Sequence, residues 1–209
     1  MDTTNIRSWI AALKQKFSEK EDELNRLDSL VGDGDHGTAM KRGFNEANNR
    51  MNNNSECHDP AELLGITSAG LVAGTGGASG LLFSSLFKEL GEAASKRQCV
   101  GVTEFKNGLF KSIEQIKKFG KSDLGDKTML DALCPAYSAL ETFDANVDLL
   151  VAVEKMVIKA KEGKVSTKSL PAKRGRGRYV ENKGVGTIDP GAKSVTYVFE
   201  TLEHVLRSK

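Results

Sequence analysis

The chain has 209 residues, of which 39% are hydrophobic and 28% are charged, the composition of a soluble globular protein with room for one proper core. A formal net charge of only +2 does not indicate a surface built for nucleic acid. No apolar run approaches the ~18 residues that a membrane span needs. Three scattered cysteines without a CxxC pair, and an N-terminus unlike a signal peptide, predict a cytoplasmic protein.

Amphipathic helices are predicted along most of the chain, because apolar residues recur at steps of three and four. No segment alternates between apolar and polar residues over a convincing strand length. We therefore predict a single all-α domain over residues 1–209, a barrel or bundle of about eight antiparallel amphipathic helices. The periodic segments run through residues 6–17, 24–30, 40–51, 60–66, 82–90, 105–116, 130–143, 149–157 and 195–206.

Three local signals predict helix boundaries. Ser18 and Glu21 form a capping-box pattern ahead of the second periodic segment. Asp59 followed by Pro60 is typical of an N-cap and a first-turn proline. Gly163 is predicted to end the eighth helix, because glycine is the usual residue just past a helix C-terminus.

Three stretches interrupt the helical pattern and are predicted to be loops: residues 31–39, 74–80 and 165–191. Loops longer than roughly 12–15 residues are usually functional or disordered. The third stretch exceeds that length and is rich in glycines and basic residues. These three stretches are therefore the first candidates for a functional site.

The strongest chemical signal is an acidic loop in which Asp28, Asp33 and Asp35 fall within eight residues, separated by glycines. Carboxylates this close repel one another, so they either splay into solvent or share a hard divalent cation, and the spacing slightly favours the cation. An EF-hand is excluded, since the sixth position from Asp33 is Thr38 rather than glycine and the twelfth is Phe44 rather than glutamate. A few acids alone favour magnesium, which keeps waters and takes phosphate oxygens as further ligands.

The acidic loop also matches G-x-G-x-x-G at Gly32, Gly34 and Gly37. A dinucleotide fingerprint of that form requires a preceding strand and bare backbone amides facing a pyrophosphate. Here the preceding pattern is helical and the filler residues are aspartates, so a Rossmann-type site is not predicted.

A glycine-rich run from Gly74 to Gly80 precedes an apolar helix. Amides at such a helix start carry the positive end of the helix dipole and suit a phosphate, and Ser79 would add a hydroxyl. Close helix packing explains the small residues equally well, so both interpretations stay open. No Walker A motif is present, because Gly120-Lys121-Ser122 has Gln115 where the upstream glycine is required.

Positive charge is concentrated in residues 161–183, which hold eight lysines and arginines against two glutamates in a chain of net charge +2. A polyphosphate with magnesium requires both such a basic segment and the acidic loop. Two other interpretations stay open: a solvated mobile loop, or an RNA contact through the arginines and the aromatic ring of residues 174–179. Asp189-Pro190-Gly191 predicts a turn before the last helix.

Four motifs together resemble the dihydroxyacetone kinase L subunit family, in the family's order and with similar spacing across essentially the whole chain. They are the acidic run Gly32–Gly37, the small-residue run Gly76–Gly80, Gly125–Met129 followed by Leu130-Asp131, and Gly175-Arg176 leading to Gly186 and Asp189–Gly191. The resemblance implies a barrel of eight amphipathic helices, in agreement with the periodicity.

The resemblance also implies a site for ADP or ATP with two Mg²⁺ ions that bridge the nucleotide phosphates. The implied metal ligands are Asp28, Asp33 and Asp35. The implied nucleotide contacts are His36, Gly37, Thr38 and Ala39 beside the nucleotide, Ala78 and Ser79 at the phosphates, Gly120 and Met129 at the base and ribose, and Asp189, Pro190 and Gly191 closing the pocket. Arg176 is the implied catalytic residue, which approaches the phosphates and stabilises the transferring group.

Two departures from the family pattern bear on these roles. Ala39 stands where some members have asparagine, which puts that polar contact in doubt. Arg178 adds a second positive charge near Arg176, so either arginine is a candidate for the phosphate contact. His36 is interpreted as a pocket residue rather than a base, since nothing in the sequence orients it.

The resemblance implies that the acceptor, dihydroxyacetone or a related small ketose, is held on a separate K subunit. This chain shows no K region, so no complete kinase activity is expected from it alone. The phosphoryl source is either exchangeable ATP or tightly held ADP recharged by a phosphotransferase-system M subunit, and the short chain favours the second. A homodimer stays open, and neither nucleic acid nor a membrane is expected as a partner. The rival classes are an RNA-binding module that uses the basic segment and a purely structural bundle.

Overall fold

The computed structural model describes residues 1–208, and this part of the chain is all-helical, without a β-strand. The predicted all-α class is therefore confirmed, although the described residues form nine α-helices rather than about eight. Their bounds are α1 Thr3–Glu19, α2 Glu21–Ser29, α3 His36–Asn52, α4 Pro60–Thr75, α5 Gly77–Ala93, α6 Val102–Gly120, α7 Leu130–Glu141, α8 Leu149–Ser166 and α9 Pro190–Arg207. Short 3-10 helices at Thr167–Ser169, Arg176–Tyr179 and Glu181–Gly184 lie between α8 and α9.

The helices form a closed ring. Each helix from α3 to α8 packs against the next one along the chain, and α1 packs against both α3 and α9. Helices α1 to α8 are joined by connections of one to nine residues, and such short connections favour antiparallel neighbours. No helix in residues 1–208 is both long and apolar enough to cross a membrane.

Aromatic and aliphatic side chains fill the middle of the ring. Phe17 of α1 stacks on Phe44 of α3 with ring centroids 4.7 Å apart, and Phe44 meets Phe87 of α5 edge-on. The fully buried indole of Trp9 donates its N–H to the carbonyl of Val198 in α9, at 3.1 Å. These contacts join both ends of the chain to the centre, so the barrel has one core.

The predicted boundary at Ser18 is wrong, whereas the one at Asp59 is confirmed. The hydroxyl of Ser18 donates back to the carbonyl of Lys14, and only Lys20 separates α1 from α2. The side chain of Asp59 accepts a hydrogen bond from the amide of Ala61, which caps α4.

Two predictions that rest on glycines are also wrong. These glycines allow two helices to pack closely and do not mark a loop or a helix end. Helix α8 continues through Gly163 to Ser166, and a Cβ at Gly163 would lie 2.0 Å from the carbonyl oxygen of Asp131 in α7. Most of the predicted loop at residues 74–80 is helical, since Gly76, with φ of 72°, alone separates α4 from α5. A Cβ at Gly74 would lie 2.6 Å from the carbonyl oxygen of Arg42 in α3.

Candidate functional site

A cavity of about 320 Å³ opens at one end of the barrel. The connections α2–α3, α6–α7 and α8–α9 and the first turns of α5 all contribute to its wall, so four separate segments of sequence converge there. Most of the site residues predicted from the sequence line this cavity: Asp28, Asp33, His36, Ala78, Ser79, Gly120, Met129, Arg176, Asp189, Pro190 and Gly191.

The acidic loop is organised by the carboxylate of Asp28, in the last turn of α2. Its Oδ2 accepts hydrogen bonds from the backbone amides of Gly34 at 2.9 Å, Asp35 at 3.0 Å and His36 at 3.3 Å. Gly34 has φ of 79°, a left-handed conformation that glycine adopts without strain. The loop therefore wraps around one carboxylate oxygen, just before α3 begins.

Three carboxylates converge beside the cavity. Asp28, Asp33 and Asp35 each offer one oxygen, and these oxygens lie within 4.8 Å of one another. Asp28 is half-buried, whereas Asp33 and Asp35 are exposed. Asp35 belongs to this cluster although it does not line the cavity itself. Such a set of hard oxygen donors with room for water matches what a magnesium ion requires.

Arg176 supplies positive charge to this cluster. Its guanidinium forms an ion pair with the carboxylate of Asp33 across the mouth of the cavity. Arg178, which sequence reasoning could not separate from Arg176, lies over the exposed ring of Tyr179, 4.5 Å from its centroid, and does not line the cavity. The geometry therefore distinguishes the two arginines: only Arg176 faces the carboxylates.

His36 is a buried residue in the wall of the cavity. Its Nε2 forms a hydrogen bond of 2.8 Å with the hydroxyl of Ser194 in α9. Burial lowers the pKa of His36 to about 4, and the negative charges of Asp28 and Asp35 offset only part of this effect. The imidazole is therefore neutral at physiological pH and is fixed in orientation by a partner that the sequence did not reveal.

The next three predicted residues face the protein rather than the cavity. A Cβ at Gly37 would lie 2.1 Å from the carbonyl oxygen of Glu21, so α3 packs closely on α2 at this point. The hydroxyl of Thr38 donates to the carboxylate of Glu21 and accepts from the amide of Asn25. Ala39 is buried. Their assignment to the nucleotide stays a prediction, and the structure gives them a packing role.

The first turn of α5 presents Ala78 and Ser79 to the cavity. No side chain caps this helix start, whose N-cap residue is Gly76. Helix-start amides without a capping side chain are donors left for solvent or for an anion. This wall of the cavity is therefore suited to an anionic group.

An apolar wall lies around the end of α6 and the start of α7. Gly120 and Met129 line it, together with Leu82, Phe83 and Ile116. The last three share the helical period of core residues, so the sequence does not indicate that they face a cavity. Only their position at the cavity end of the helices distinguishes them, and no pattern in the sequence shows that position.

Asp126 anchors the basic segment that carries Arg176. Its carboxylate forms ion pairs with Lys173 at 3.0 Å and Arg174 at 3.6 Å. Burial opposes ionisation of this carboxyl, but the amide of Asp123 and the two cations outweigh that effect and hold the pKa of Asp126 below its usual value. The basic segment is therefore fastened to the α6–α7 connection rather than left in solvent.

Asp189 closes the cavity from the side of α9. It is the N-cap of α9, and its Oδ2 accepts a hydrogen bond of 2.7 Å from the amide of Ala192. Burial raises the pKa of Asp189 to about 7. Pro190 and Gly191 follow in the first turn and line the cavity, so the predicted turn is in fact a capped helix start.

Lys127 is a lining residue to which sequence reasoning gave no role. It is 3% exposed, and its ammonium donates to the carbonyls of Thr167 at 2.6 Å and Thr187 at 2.5 Å. It lies within the Gly125–Met129 motif, but neither periodicity nor charge patterning distinguishes a buried lysine from a solvated one.

Comparison with known proteins identifies the family to which the chain belongs. The model of the DAK2 domain matches residues 30–204, which include Asp33 and Asp35 of the acidic loop, the starts of α5 and α9, and the basic segment. The chain belongs to the DAK2 domain family. It is 32% identical over 206 residues to the ADP-binding subunit of the PTS-dependent dihydroxyacetone kinase of Lactococcus lactis, covering 99% of this chain and 98% of that protein.

Further relatives agree with the family assignment. The chain is 30% identical over 203 residues to the ADP-binding subunit of the PEP-dependent dihydroxyacetone kinase of Escherichia coli, covering 97% of this chain and 96% of that protein. The fold is similar to the dihydroxyacetone kinase of C. freundii solved in complex with AMP-PNP and Mg²⁺, with a TM-score of 0.74 and 26% identity. That match covers 98% of this chain and 34% of that longer chain. The DAK2 family is thus shown by sequence and by fold.

Proposed function

We propose that this chain is the nucleotide-binding subunit of a dihydroxyacetone-type kinase, a single L domain over residues 1–209 that acts in the cytoplasm. The cavity takes ADP or ATP together with two Mg²⁺ ions, and the protein is active only with a K subunit that holds the ketose. The relatives named as ADP-binding subunits match this chain over nearly their whole length, which supports assignment to that type of subunit.

The observation that carries the proposal is the convergence of three carboxylate oxygens within 4.8 Å of one another beside a cavity. Bound magnesium would supply charge neutralisation to the phosphates, which is the main requirement of phosphoryl transfer. Asp28, Asp33 and Asp35 would hold the ions. The ion pair between Arg176 and Asp33 supports the fit, because the cluster already attracts a positive charge.

The other walls suit the remaining parts of a nucleotide. The uncapped start of α5, with Ala78 and Ser79, would donate to phosphate oxygens. The apolar wall with Gly120 and Met129 would take the base and ribose. Arg176 would leave Asp33 and stabilise the transferring phosphoryl group, which makes it the proposed catalytic residue. Gly37 and Thr38 would support the loop from behind through their contacts with α2, and the buried Ala39 follows them in α3.

The proposed partners are a K subunit that carries dihydroxyacetone or a related small ketose and a phosphotransferase-system M subunit that recharges bound ADP. Two relatives are named as PTS-dependent and PEP-dependent kinase subunits, which supports recharging over exchange of free ATP. Phosphoryl transfer would then proceed from the M subunit to ADP on this chain, and from the resulting ATP to the ketose.

Native mass spectrometry of the purified protein tests the nucleotide assignment. We expect retained ADP with magnesium, lost on chelation and lost in Asp33→Ala, with circular dichroism of that variant unchanged. Asp144→Ala is the matched control, because Asp144 is an exposed aspartate in the α7–α8 connection, away from the cavity. Unchanged retention in Asp33→Ala would refute the metal assignment.

A reconstituted assay tests the donor. The chain is mixed with a K subunit, an M subunit and the general phosphotransferase proteins, and ketose phosphorylation is followed with either phosphoenolpyruvate or ATP as the source. Turnover with phosphoenolpyruvate at catalytic amounts of ADP supports recharging. Turnover that requires stoichiometric ATP and ignores the M subunit would support an ATP-dependent ketose kinase instead.

The rival RNA-binding function finds less support in the basic segment. Lys173 and Arg174 pair with Asp126, and Arg176 pairs with Asp33. Only Arg178 of the three arginines in the Arg-Gly-Arg-Gly-Arg run stacks on an aromatic ring instead of pairing with an acid. A gel-shift titration with single-stranded RNA at physiological salt checks this function, and tight binding unaffected by chelation would favour it.

A further inference from the structure

The segment between α8 and α9 is a loop with a closed neck. We define the neck as Thr167, Lys168, Gly186 and Thr187. The amide of Gly186 donates to the carbonyl of Lys168 at 2.7 Å, and the amide of Asp189 donates to the hydroxyl of Thr167 at 3.0 Å. The two ends of the loop are therefore adjacent, as in compact surface loops that pack as units.

Lys127 lies under this neck and joins its two sides. Its ammonium reaches the carbonyl of Thr167 on the incoming side and that of Thr187 on the outgoing side, at 2.6 and 2.5 Å. Its side chain is almost fully buried. A buried ammonium requires oxygen partners, and here the neck supplies two of them. The same contacts close the loop across a gap of twenty residues in the chain.

The backbone around Lys127 is built to hold it there. Lys127 has φ of 60°, a left-handed conformation that is unfavourable for lysine and is kept only where neighbours fix it. The buried carboxylate of Asp131 provides that fixation: it accepts from the amide of Gly125 at 2.6 Å and from the amide of Thr128 at 2.7 Å. Lys127 is thus clamped from both sides along the chain.

The neck connects to Arg176 through the body of the loop. The amide of Ala172 donates to the carbonyl of Lys183, and the amide of Lys173 donates to the carbonyl of Asp126. Arg176 follows three residues later and reaches the carboxylate of Asp33. A loop fixed at its neck and at Lys173 leaves few conformations open to Arg176, whereas an open neck releases one of these two attachments.

We infer that Lys127 is a positioning residue: by bridging the carbonyls of Thr167 and Thr187 it closes the loop neck and thereby presents Arg176 to the cavity. It acts through the loop and not on the reacting atoms. The nucleotide readout of this inference rests on the proposed function, but the structural readout does not.

Hydrogen exchange of the nucleotide-free protein tests the neck directly. In Lys127→Met we expect exchange of the Gly186 and Ala172 amides to rise by about tenfold or more, with exchange in α1 and α7 unchanged. Lys127→Arg keeps the charge and the donors and should preserve most of the protection. Lys168→Met is the matched control, because it removes an exposed positive charge from the same neck and leaves the buried ammonium in place.

If Lys127→Met gives no cooperative thermal transition, Lys127→Gln carries the same test, because glutamine is polar yet too short to reach both carbonyls. Its neck amides should also exchange about tenfold faster. Neck protection equal to wild type in a folded Met or Gln variant would overturn the inference, as would an equal increase in Lys168→Met.

Nucleotide binding adds an independent readout. With magnesium present, ADP affinity measured by calorimetry should fall about tenfold in Lys127→Met and recover in part in Lys127→Arg, with Lys168→Met unchanged. If the wild-type protein binds no nucleotide, the proposed function fails, while the exchange result still decides whether Lys127 closes the neck. Faster exchange with unaltered ADP affinity would overturn the claim that the neck serves the cavity.

Discussion

Arg176 pairs with Asp33, so a residue proposed to act on a phosphate also occupies a carboxylate proposed to hold a metal ion. The two roles compete for the same carboxylate, since its single negative charge cannot fully balance the guanidinium and a metal ion at the same time. Binding of magnesium with a polyphosphate resolves the competition, because the phosphate offers Arg176 a new anionic partner.

Replacement of Arg176 is therefore predicted to raise the affinity for a metal ion and to lower the catalytic rate. In Arg176→Gln the affinity of the nucleotide-free protein for Mn²⁺, followed by electron paramagnetic resonance, should rise. The kcat of the reconstituted kinase should fall by about 100-fold, the usual effect of losing one donor to transition-state charge. Arg178→Gln is the control and should change neither quantity by more than about threefold. Equal effects of both substitutions would contradict the assignment.

Gly32 is predicted to be essential for the shape of the acidic loop. A Cβ at this position would lie 2.4 Å from Oδ1 of Asp28. Gly32→Ala should therefore displace that carboxylate and weaken Mn²⁺ and ADP binding by about tenfold or more, with little change in melting temperature. Gly65→Ala in α4 is the matched control, since a Cβ there meets nothing within 4 Å; it should stabilise the fold by about 0.5–1 kcal/mol. Intact binding in Gly32→Ala would contradict this prediction.

The fold is predicted to lose stability in acid, because the stabilising contribution of ionised Glu23 is lost when this carboxylate is protonated. Burial alone would raise its pKa, but hydrogen bonds from Lys193, Tyr197 and Lys20 outweigh burial and lower the pKa of Glu23 to about 2, from 4.5. The unfolded chain therefore binds a proton more readily than the folded one, so this stabilisation is complete above pH 4.5 and is lost as the pH falls toward 2.

Urea unfolding between pH 6 and pH 2 measures this effect. With allowance for solvent screening, Glu23 should contribute about 1–2 kcal/mol to the pH dependence. Glu23→Gln should remove that share, and Tyr197→Phe, which deletes one donor at 2.9 Å, should remove part of it. The prediction fails if the wild type and Glu23→Gln lose stability in parallel over this range.

Close packing of α7 on α8 at Gly163 is predicted to tolerate no side chain. A Cβ would lie 2.0 Å from the carbonyl oxygen of Asp131, and the carboxylate of that residue fixes the α6–α7 connection. Gly163→Ala should therefore destabilise the fold by about 2 kcal/mol or more and shift the thermal midpoint down. Gly65→Ala is again the control, and it is expected to stabilise the fold instead. A neutral Gly163→Ala would show that the two helices separate easily.

Sequence periodicity predicted the barrel well, because helix burial imposes a regular spacing on apolar residues such as Trp9 and Phe17. It failed where glycine serves packing instead of ending a helix, as at Gly163 and Gly74, since both uses select the same residue. The Ser18 capping box failed because a nearby carbonyl competes for the hydroxyl.

The candidate site was predictable where functional side chains lie close together in the sequence, as in the acidic loop, and where motifs match the DAK2 family. It was not predictable where the cavity wall is made of ordinary core residues, such as Phe83 and Ile116, or where a lysine is buried, as at Lys127. Their roles depend on which helix ends meet in space, and that information is not local in sequence.

All the segments that line the cavity belong to one rim of the barrel, whereas the connections α3–α4, α5–α6 and α7–α8 contribute nothing to it. The far rim has its own fastenings: Arg7 donates to the carbonyls of Met51, Asn54 and Cys57, and Lys106 donates to those of Glu141 and Phe143. Within residues 1–208, the candidate site is thus confined to one end of the barrel. We therefore expect a fluorophore or an affinity tag grafted between Asp144 and Val147 to leave the cavity and its lining residues unaltered.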